Sequence, residues 1–413
     1  MKILTVNKFY FIKGGSERYF FELSKILYEH GHEVIPFAMK HPNNFHSDYN
    51  TYFVDNIEFN LGSNWQKIKN SMRIVSRILY SFHARRKIEQ LIEKTKPDIA
   101  HLHMIDHQIS PSILHSLKKY DIPVLMTAHQ SKLICPNYRL FNWTKMSVCE
   151  KCLDGHYYHP FFEKCHKNSR IAGLLISAEA YLHKMMRIYE KNVDIIHTPS
   201  KFFREKFIQA GVDRNKIEQL YYTIRMDDYT PSFTYEDYFV YFGRLEEAKG
   251  LITLLKAVEK VNVSQLLIIG EGAYRKSLED FIEARNIKNV RFLGARWGEE
   301  LKEIISNSKF IIIPSECYDN SPLVVYESYA LGKPVIGSTM GGIPELIDHE
   351  KTGLLFDTGD SDALAERIRF LLHHPKCIVE YGRNGREKAE KEFSPEFHYG
   401  EMVKKYERLV GGA

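Results

Sequence analysis

The sequence predicts an α/β fold built from repeated strand, turn and helix units. Two observations carry that prediction. Short, continuous apolar runs recur, as expected of parallel strands buried on both faces, and each is followed by a polar or glycine-rich turn and then by helical spacing. Stretches 238–261, 266–282 and 309–338 all show both features.

The richest stretch is KFIIIPSECYDNSPLVVYESYALGKPVIGS, residues 309–338. Phe310–Pro314 reads as a strand, Leu323 to Leu331 follows helical spacing, and Gly332 with Pro334 closes the helix. In open α/β sheets, ligands bind beyond the carboxyl ends of strands, where a helix N-terminus offers unpaired N–H groups to an anion. Asp319 stands in that loop and Glu327 about one turn into the helix, with seven residues between them. Carboxylates repel phosphate, so this pair is suited to accept hydrogen bonds from sugar hydroxyls. The pattern points to a nucleoside diphosphate that carries a sugar.

YFVYFGRLEEAKGLITLLKAVEKV supplies a second strand, turn and helix, with Arg244 and Lys249 at the turn. Two cations there would offset the charge that grows on a departing diphosphate as a glycosidic bond breaks. LLIIGEGAYRKSLEDFI repeats the unit with Gly270, Glu271 and Gly272 at its turn. That turn is weak evidence alone, since a tight turn is its ordinary explanation.

Together these motifs resemble the retaining glycosyltransferases of family four, whose signature is an Arg…Lys pair followed by an acid, seven residues and a Glu. Here it reads Arg244, Lys249, Asp319 and Glu327. The first acid is Asp where Glu is commoner, and Asn320-Ser321-Pro322 replaces the usual bulky-residue–Gly step. The resemblance covers nearly the whole chain. It implies the GT-B architecture, two Rossmann-like domains facing each other across a cleft. It implies that Glu327 holds the ribose hydroxyls, and that Arg244 and Lys249 hold the diphosphate. Asp319 and the backbone of Asn320, Ser321, Pro322, Leu323 and Val324 would hold the sugar and phosphates, with Gly243, Gly270 and Glu271 also on the donor side.

The first 37 residues read as strand, Gly-rich loop, amphipathic helix and strand. Gly14 and Gly15 would let the backbone approach a ligand with no side chain in the way. By the resemblance, that loop meets the donor diphosphate across the cleft; a plain strand-to-helix turn is the alternative. His129 falls just past another apolar strand, and the matching His in relatives lies beside the donor sugar. His101, His103 and His107 follow the strand DIAHLH and are candidates to line an acceptor pocket, but not a metal site.

At 413 residues with 44% hydrophobic content, the chain can bury two cores. The expected division is an acceptor-side domain over 1–228, a nucleotide-sugar donor domain over 229–393 and a final helix over 394–413 that crosses back. The polar stretch 224–237, with Pro231, is the expected linker. The net charge is +5, mildly basic. Lys2, Lys8 and Lys13 interrupt the first apolar run, so it reads as a strand and not a signal peptide. No apolar run approaches the roughly 20 residues that span a bilayer. The expected location is the cytoplasm or the inner membrane face.

Cys135, Cys149, Cys152 and Cys165 interrupt the Rossmann pattern in an insertion over about 135–165. Their spacing suits a structural zinc, with reduced thiols or disulfides as the alternatives. The resemblance implies no cofactor for catalysis. Over 64–98, Trp65, Ile68, Met72, Val75, Leu79 and Phe82 recur at helical spacing beside nine basic and three acidic residues. This is a candidate membrane-surface helix, with Lys67, Lys69, Arg73 and Arg77 toward anionic head groups, or an ordinary packed helix. No nucleic-acid-binding pattern is present.

The function these features predict is transfer of a sugar from a nucleotide-diphosphate donor to a glycan or polyprenyl-linked acceptor. The anomeric configuration would be retained, and the setting would be cell-surface polysaccharide biosynthesis. A sugar-nucleotide epimerase or a non-catalytic nucleotide-sugar-binding protein of the same architecture are the alternatives. Arg244 and Lys249 are expected in an open cleft, where their replacement would leave folding unchanged.

Overall fold

Six apolar runs in the first half of the chain pair as one parallel sheet, and six in the second half as another. A computed structural model describes residues 1–56, 74–261 and 264–412. The chain divides into two units. The first comprises Met1–Lys145, Cys149–Leu220 and Tyr399–Ala413; the second comprises Met146–Val148 and Tyr221–His398.

The first sheet contains β1 (Lys2–Val6), β2 (Glu33–Phe37), β3 (Ile99–Leu102), β4 (Val124–Thr127), β5 (Ile195–Thr198) and β6 (Ile217–Gln219). Their order is β2-β1-β3-β4-β5-β6, parallel throughout, with Leu4 paired to Ala100 and Leu102 to Met126. Ile3, Leu4, Val6, Ile99, Leu102 and Leu125 are fully buried, as strands covered on both faces require. The chain reverses direction across the sheet between β1 and β3, which makes their carboxyl ends the ligand-binding switch point of this fold.

A row of buried polar groups crosses this sheet. His197 Nε2 lies 2.7 Å from the Leu220 carbonyl and so carries the proton. Its Nδ1 therefore accepts from the Thr127 hydroxyl at 2.9 Å. Thr127, having donated there, accepts from His101 Nε2 at 2.7 Å. His101 Nδ1 in turn accepts from the Tyr406 hydroxyl at 2.6 Å. Burial holds His197 down to about 4 and Tyr406 well above the usual phenol range, so the imidazole is neutral and the phenol protonated. Lys405 adds a bond to Glu218 at 2.7 Å. Residues from Tyr399 onward thus belong to the first unit through specific polar bonds as well as packing.

The second sheet contains β7 (Tyr238–Phe242), β8 (Gln265–Ile269), β9 (Val290–Gly294), β10 (Ile311–Ile313), β11 (Val335–Ser338) and β12 (Gly353–Phe356). Its order is β9-β8-β7-β10-β11-β12, all parallel, so the switch point lies between β7 and β10. Helix Leu251–Val261 buries Leu251, Leu254, Leu255 and Val258 against this sheet, and helix Ser361–His373 buries Leu364, Ile368 and Leu371.

Residues 57–73, which include Trp65, Lys67, Ile68, Lys69, Met72 and Arg73, lie outside the described residues. Arg77 is described, and it corrects one expectation. Its guanidinium is buried and donates to the carbonyls of Asp55 at 2.6 Å and Gln108 at 3.4 Å, so it is not available to lipid head groups. No helix among the described residues is long and apolar enough to cross a membrane.

Candidate functional site

In the second unit, the loops after β7, β8 and β10 meet because glycines let their backbones touch. Gly250 has φ +68°, and a Cβ there would fall 1.9 Å from the Pro314 carbonyl oxygen. At Gly270, a Cβ would fall 1.8 Å from the Gly243 carbonyl oxygen. Only glycine fits either contact without moving a backbone. The Gly270 turn, uninformative alone, is therefore part of the same assembly.

This contact carries Lys249 to Asp319, where the two form an ion pair. The second oxygen of Asp319 accepts from Ser315 Oγ at 2.5 Å. Burial alone would lower the Lys249 pKa, but the adjacent Asp319 carboxylate outweighs it and the pKa ends above the ordinary lysine value. Lys249 is therefore a fixed cation, and the open-cleft expectation does not hold for it. Arg244 differs: its side chain is 57% exposed and pairs with Glu246 at 2.7 Å. The carbonyl of Arg244 is anchored by the Tyr241 hydroxyl at 2.8 Å, which aims the turn.

Helix Leu323–Ala330 begins just after Pro322, and Glu327 is buried on its second turn. The Ser321 hydroxyl lies 2.5 Å from the Tyr326 hydroxyl, so its side chain secures the helix start. Sequence reasoning passes over the loop after β11. There Gly342 N–H donates to the Asp319 carbonyl at 2.8 Å, and Gly341, at φ +61°, leaves no room for a Cβ beside Asp319. The signal was readable: a Gly-Gly pair follows a strand, as in the Gly14 loop. Thr253, bonded to Glu316 at 2.6 Å, is a further polar group near this loop that the spacing does not reveal.

In the first unit, the loops after β1 and β3 are joined by Lys8 and Asp106, paired at 3.0 Å. Gln130 Nε2 donates to the other Asp106 oxygen at 3.0 Å. Burial would raise the Asp106 pKa, but Lys8, His107 and Lys132 pull it well below the carboxylate range. A small pocket of about 20 Å³ is lined here by His103, Asp106, His129, Gln130, Lys132 and Tyr189 among others. Lys132 bridges to the buried Glu179 at 2.7 Å. His129 follows β4 and lies 2.9 Å from His103 Nδ1 through its Nε2. Burial, then the neighbouring His197, lowers His129 to about 3, so it is a neutral imidazole near neutral pH. His103 lines this pocket, whereas His101 belongs to the polar row of the sheet. Lys8, Asp106, Lys132 and Glu179 carry no sequence signal, because residues 98 and 47 apart meet only in the fold.

Gly14, the N-cap of helix Gly15–Glu29, has φ −169°, extended backbone that any residue adopts. A Cβ there would meet Glu17 Oε2 at an ordinary 3.6 Å. The fold of this unit does not itself require glycine at this position.

The zinc expectation finds no support in the geometry. Among the described residues, no group of three or more His, Cys, Asp or Glu could hold a metal ion. All four cysteines are free, and Cys135, Cys152 and Cys165 are buried. Cys135 Sγ donates to Asn137 Oδ1 at 3.0 Å. Burial first, then the neighbouring sulfurs, pushes Cys165 up to about 12 and Cys152 further, which keeps them as thiols.

Two six-stranded parallel sheets of this order are those of the GT-B architecture. The chain belongs to the family described as Glycosyltransferase Family 4, matched over residues 13–227, and also matches Glycosyl transferases group 1 over 227–388. It is 26% identical over 337 residues to a sulfoquinovosyl transferase of Arabidopsis thaliana, covering 79% of this chain and 58% of that relative's length. It is 25% identical over 212 residues to the capsular polysaccharide biosynthesis glycosyltransferase CapM of Staphylococcus aureus, covering 50% of this chain and 53% of the relative. The fold is similar to that of Anabaena HepE in complex with UDP-glucose, at TM-score 0.69 and 15% identity, covering 99% of this chain and all of the other.

Proposed function

We propose that this glycosyltransferase moves a sugar from a nucleotide-diphosphate donor to a glycan or polyprenyl-linked acceptor with retention of anomeric configuration, in polysaccharide biosynthesis. The observation that carries the donor assignment is the convergence of Arg244, Lys249, Asp319 and the start of helix Leu323–Ala330 at the switch point of the second sheet. A departing diphosphate gains charge as the glycosidic bond breaks, and preorganised cations favour that state. Arg244, the exposed one of the pair, would meet the diphosphate first. Lys249, locked by Asp319, would hold fixed positive potential behind it. Glu327 would accept from ribose hydroxyls. Gly14, which the fold does not require, would leave room for the donor, and HepE's complex with UDP-glucose supports a donor of that chemical class.

The pocket beside His129 suits the acceptor. Its lining cation Lys132 is matched by Glu179 and its lining acid Asp106 by Lys8, so an uncharged, hydroxyl-rich group is favoured there over an anion. The neutral imidazole of His129 adds no charge there. The likeness to CapM, a capsular polysaccharide biosynthesis glycosyltransferase, supports a polysaccharide setting. The test is a panel of nucleotide sugars, scored first by thermal stabilisation and then by acceptor-dependent release of free nucleoside diphosphate. The expected result is one donor that does both, with the product anomer matching the donor. An inverted product, or turnover of the donor with no acceptor present, would overturn the reading.

A further inference from the structure

Helix Arg170–Met185, in the first unit, is inside out. Its protein-facing residues include Ser177, Glu179 and His183, all buried and polar, with Glu179 bonded to Lys132 at 2.7 Å and His183 to the Leu79 carbonyl at 2.8 Å. Its solvent-facing residues are apolar: Ile171 is 82% exposed, Leu174 57% and Met185 77%, with Ala178 and Tyr181 exposed between them. A surface helix of a water-soluble protein carries the opposite pattern. The exposed residues follow alternating steps of three and four, so they form one continuous stripe about 21 Å long at 1.5 Å per residue. The short helix His159–Glu163 packs against it, where a Cβ on Gly173 would fall 2.3 Å from the Pro160 carbonyl oxygen. That helix and its cap add Phe162 and Tyr158, both exposed, with ring centroids 6.1 Å apart.

Cations border the stripe at both ends. Lys167 and Arg170 stand exposed at the start, Lys184 and Arg187 at the finish. The helix has one carboxylate, Glu179, and it is buried. We propose that this face docks on an anionic lipid surface, with the stripe lying in the interface plane and the bordering cations at the head groups. The charges argue against a second copy of the chain as the occupant. Paired parallel, Arg170 would meet Arg170; paired antiparallel, it would meet Lys184. Either way like charges face each other and the helix offers no exposed acid to relieve them. Anionic head groups match both ends of the stripe.

The proposal is independent of the sugar-transfer reading, because its test needs no turnover. The full chain is sedimented with vesicles of phosphatidylcholine alone and of phosphatidylcholine with phosphatidylglycerol, at low and high salt. The wild type should bind the mixed vesicles and bind less as salt rises. Arg170→Glu with Lys184→Glu should weaken that binding by at least about tenfold, given the gain each cation contributes near an anionic surface. Leu174→Asp with Met185→Asp should also weaken it at least tenfold. All four side chains are solvent-facing, so thermal melts of both variants should match the wild type. Equal sedimentation of wild type and the stripe variant would overturn the proposal. So would self-association of the wild type in ultracentrifugation that the stripe variant abolishes, since the occupant would then be a second copy.

Discussion

Lys249 and Asp319 form an ion pair across 70 residues of sequence. The lysine that should favour a leaving diphosphate is therefore also a structural member of its unit. Arg244, exposed, pairs with Glu246 in its own turn. The two cations should separate on replacement. Arg244→Ala is expected to slow transfer by about 10²–10³-fold and to leave stability within about 0.5 kcal/mol. Lys249→Ala should slow transfer similarly but also cost about 3 kcal/mol of stability, because it strands a largely buried carboxylate. Lys249→Met with Asp319→Asn should recover most of that stability and none of the transfer. Urea melts with parallel turnover assays check all three. Equal melting of the two single variants would contradict the assigned burial.

Two glycines offer a second contrast. Gly250→Ala would place a Cβ 1.9 Å from the Pro314 oxygen at a positive φ, so it should destabilise the second unit and displace Lys249. Gly14→Ala meets nothing closer than 3.6 Å, so stability should change by less than about 0.5 kcal/mol. If Gly14 leaves room for the donor, that silent variant should nonetheless raise the donor KM. Unchanged KM and unchanged stability together would make the loop a plain connection.

At Glu327, loss of a charged acceptor to the ribose should weaken nucleoside diphosphate binding by roughly 1.5–3 kcal/mol. Calorimetry of Glu327→Gln with the free nucleotide measures this without the sugar. Unaltered affinity would return Glu327 to a purely structural part in its helix.

Stability of the first unit should fall in acid. His129 and His197 titrate near 3 and 4 when folded, well below the ordinary histidine value of 6.5. Between those values and 6.5 the unfolded chain binds more protons than the folded one, so stability rises with pH across that window. It is fully present above about 6.5 and lost progressively as pH falls toward 3. Urea midpoints measured from pH 7 to pH 4 should show this slope, and His129→Gln should flatten it. A midpoint that holds level through the window would show the buried imidazoles to be charged in the folded state.

The sheets are legible in the sequence because runs such as Ile311–Ile313 and Tyr238–Phe242 are apolar throughout, which only a strand covered on both faces requires. Arg244 and Lys249 are legible because their turn follows such a run, and Asp319 and Glu327 because of the interval between them. What pairs with what is not legible. No local pattern announces that Lys249 reaches Asp319, or that Lys8 reaches Asp106, since glycine-permitted backbone contacts and strand order decide both. Direction is equally hidden. Helical spacing identifies the stripe on Arg170–Met185 but not which face it turns to solvent, and periodicity alone reads it as core. Arg77 shows the reverse: a charged residue on an apparent basic face that donates instead to buried carbonyls.

The polar row from Leu220 to Tyr406 also orders events in time. His101 and the hydroxyl it accepts from lie 305 residues apart. At about 5–20 residues per second, a ribosome needs roughly 15–60 s to bring the second into being after the first. Through that interval the first sheet can assemble, but the His101 imidazole has yet to meet Tyr406. The earliest-made unit of this enzyme is therefore the last to be finished, and any nascent chain stalled within the second unit leaves an exposed, incomplete first one for chaperones or proteases to find.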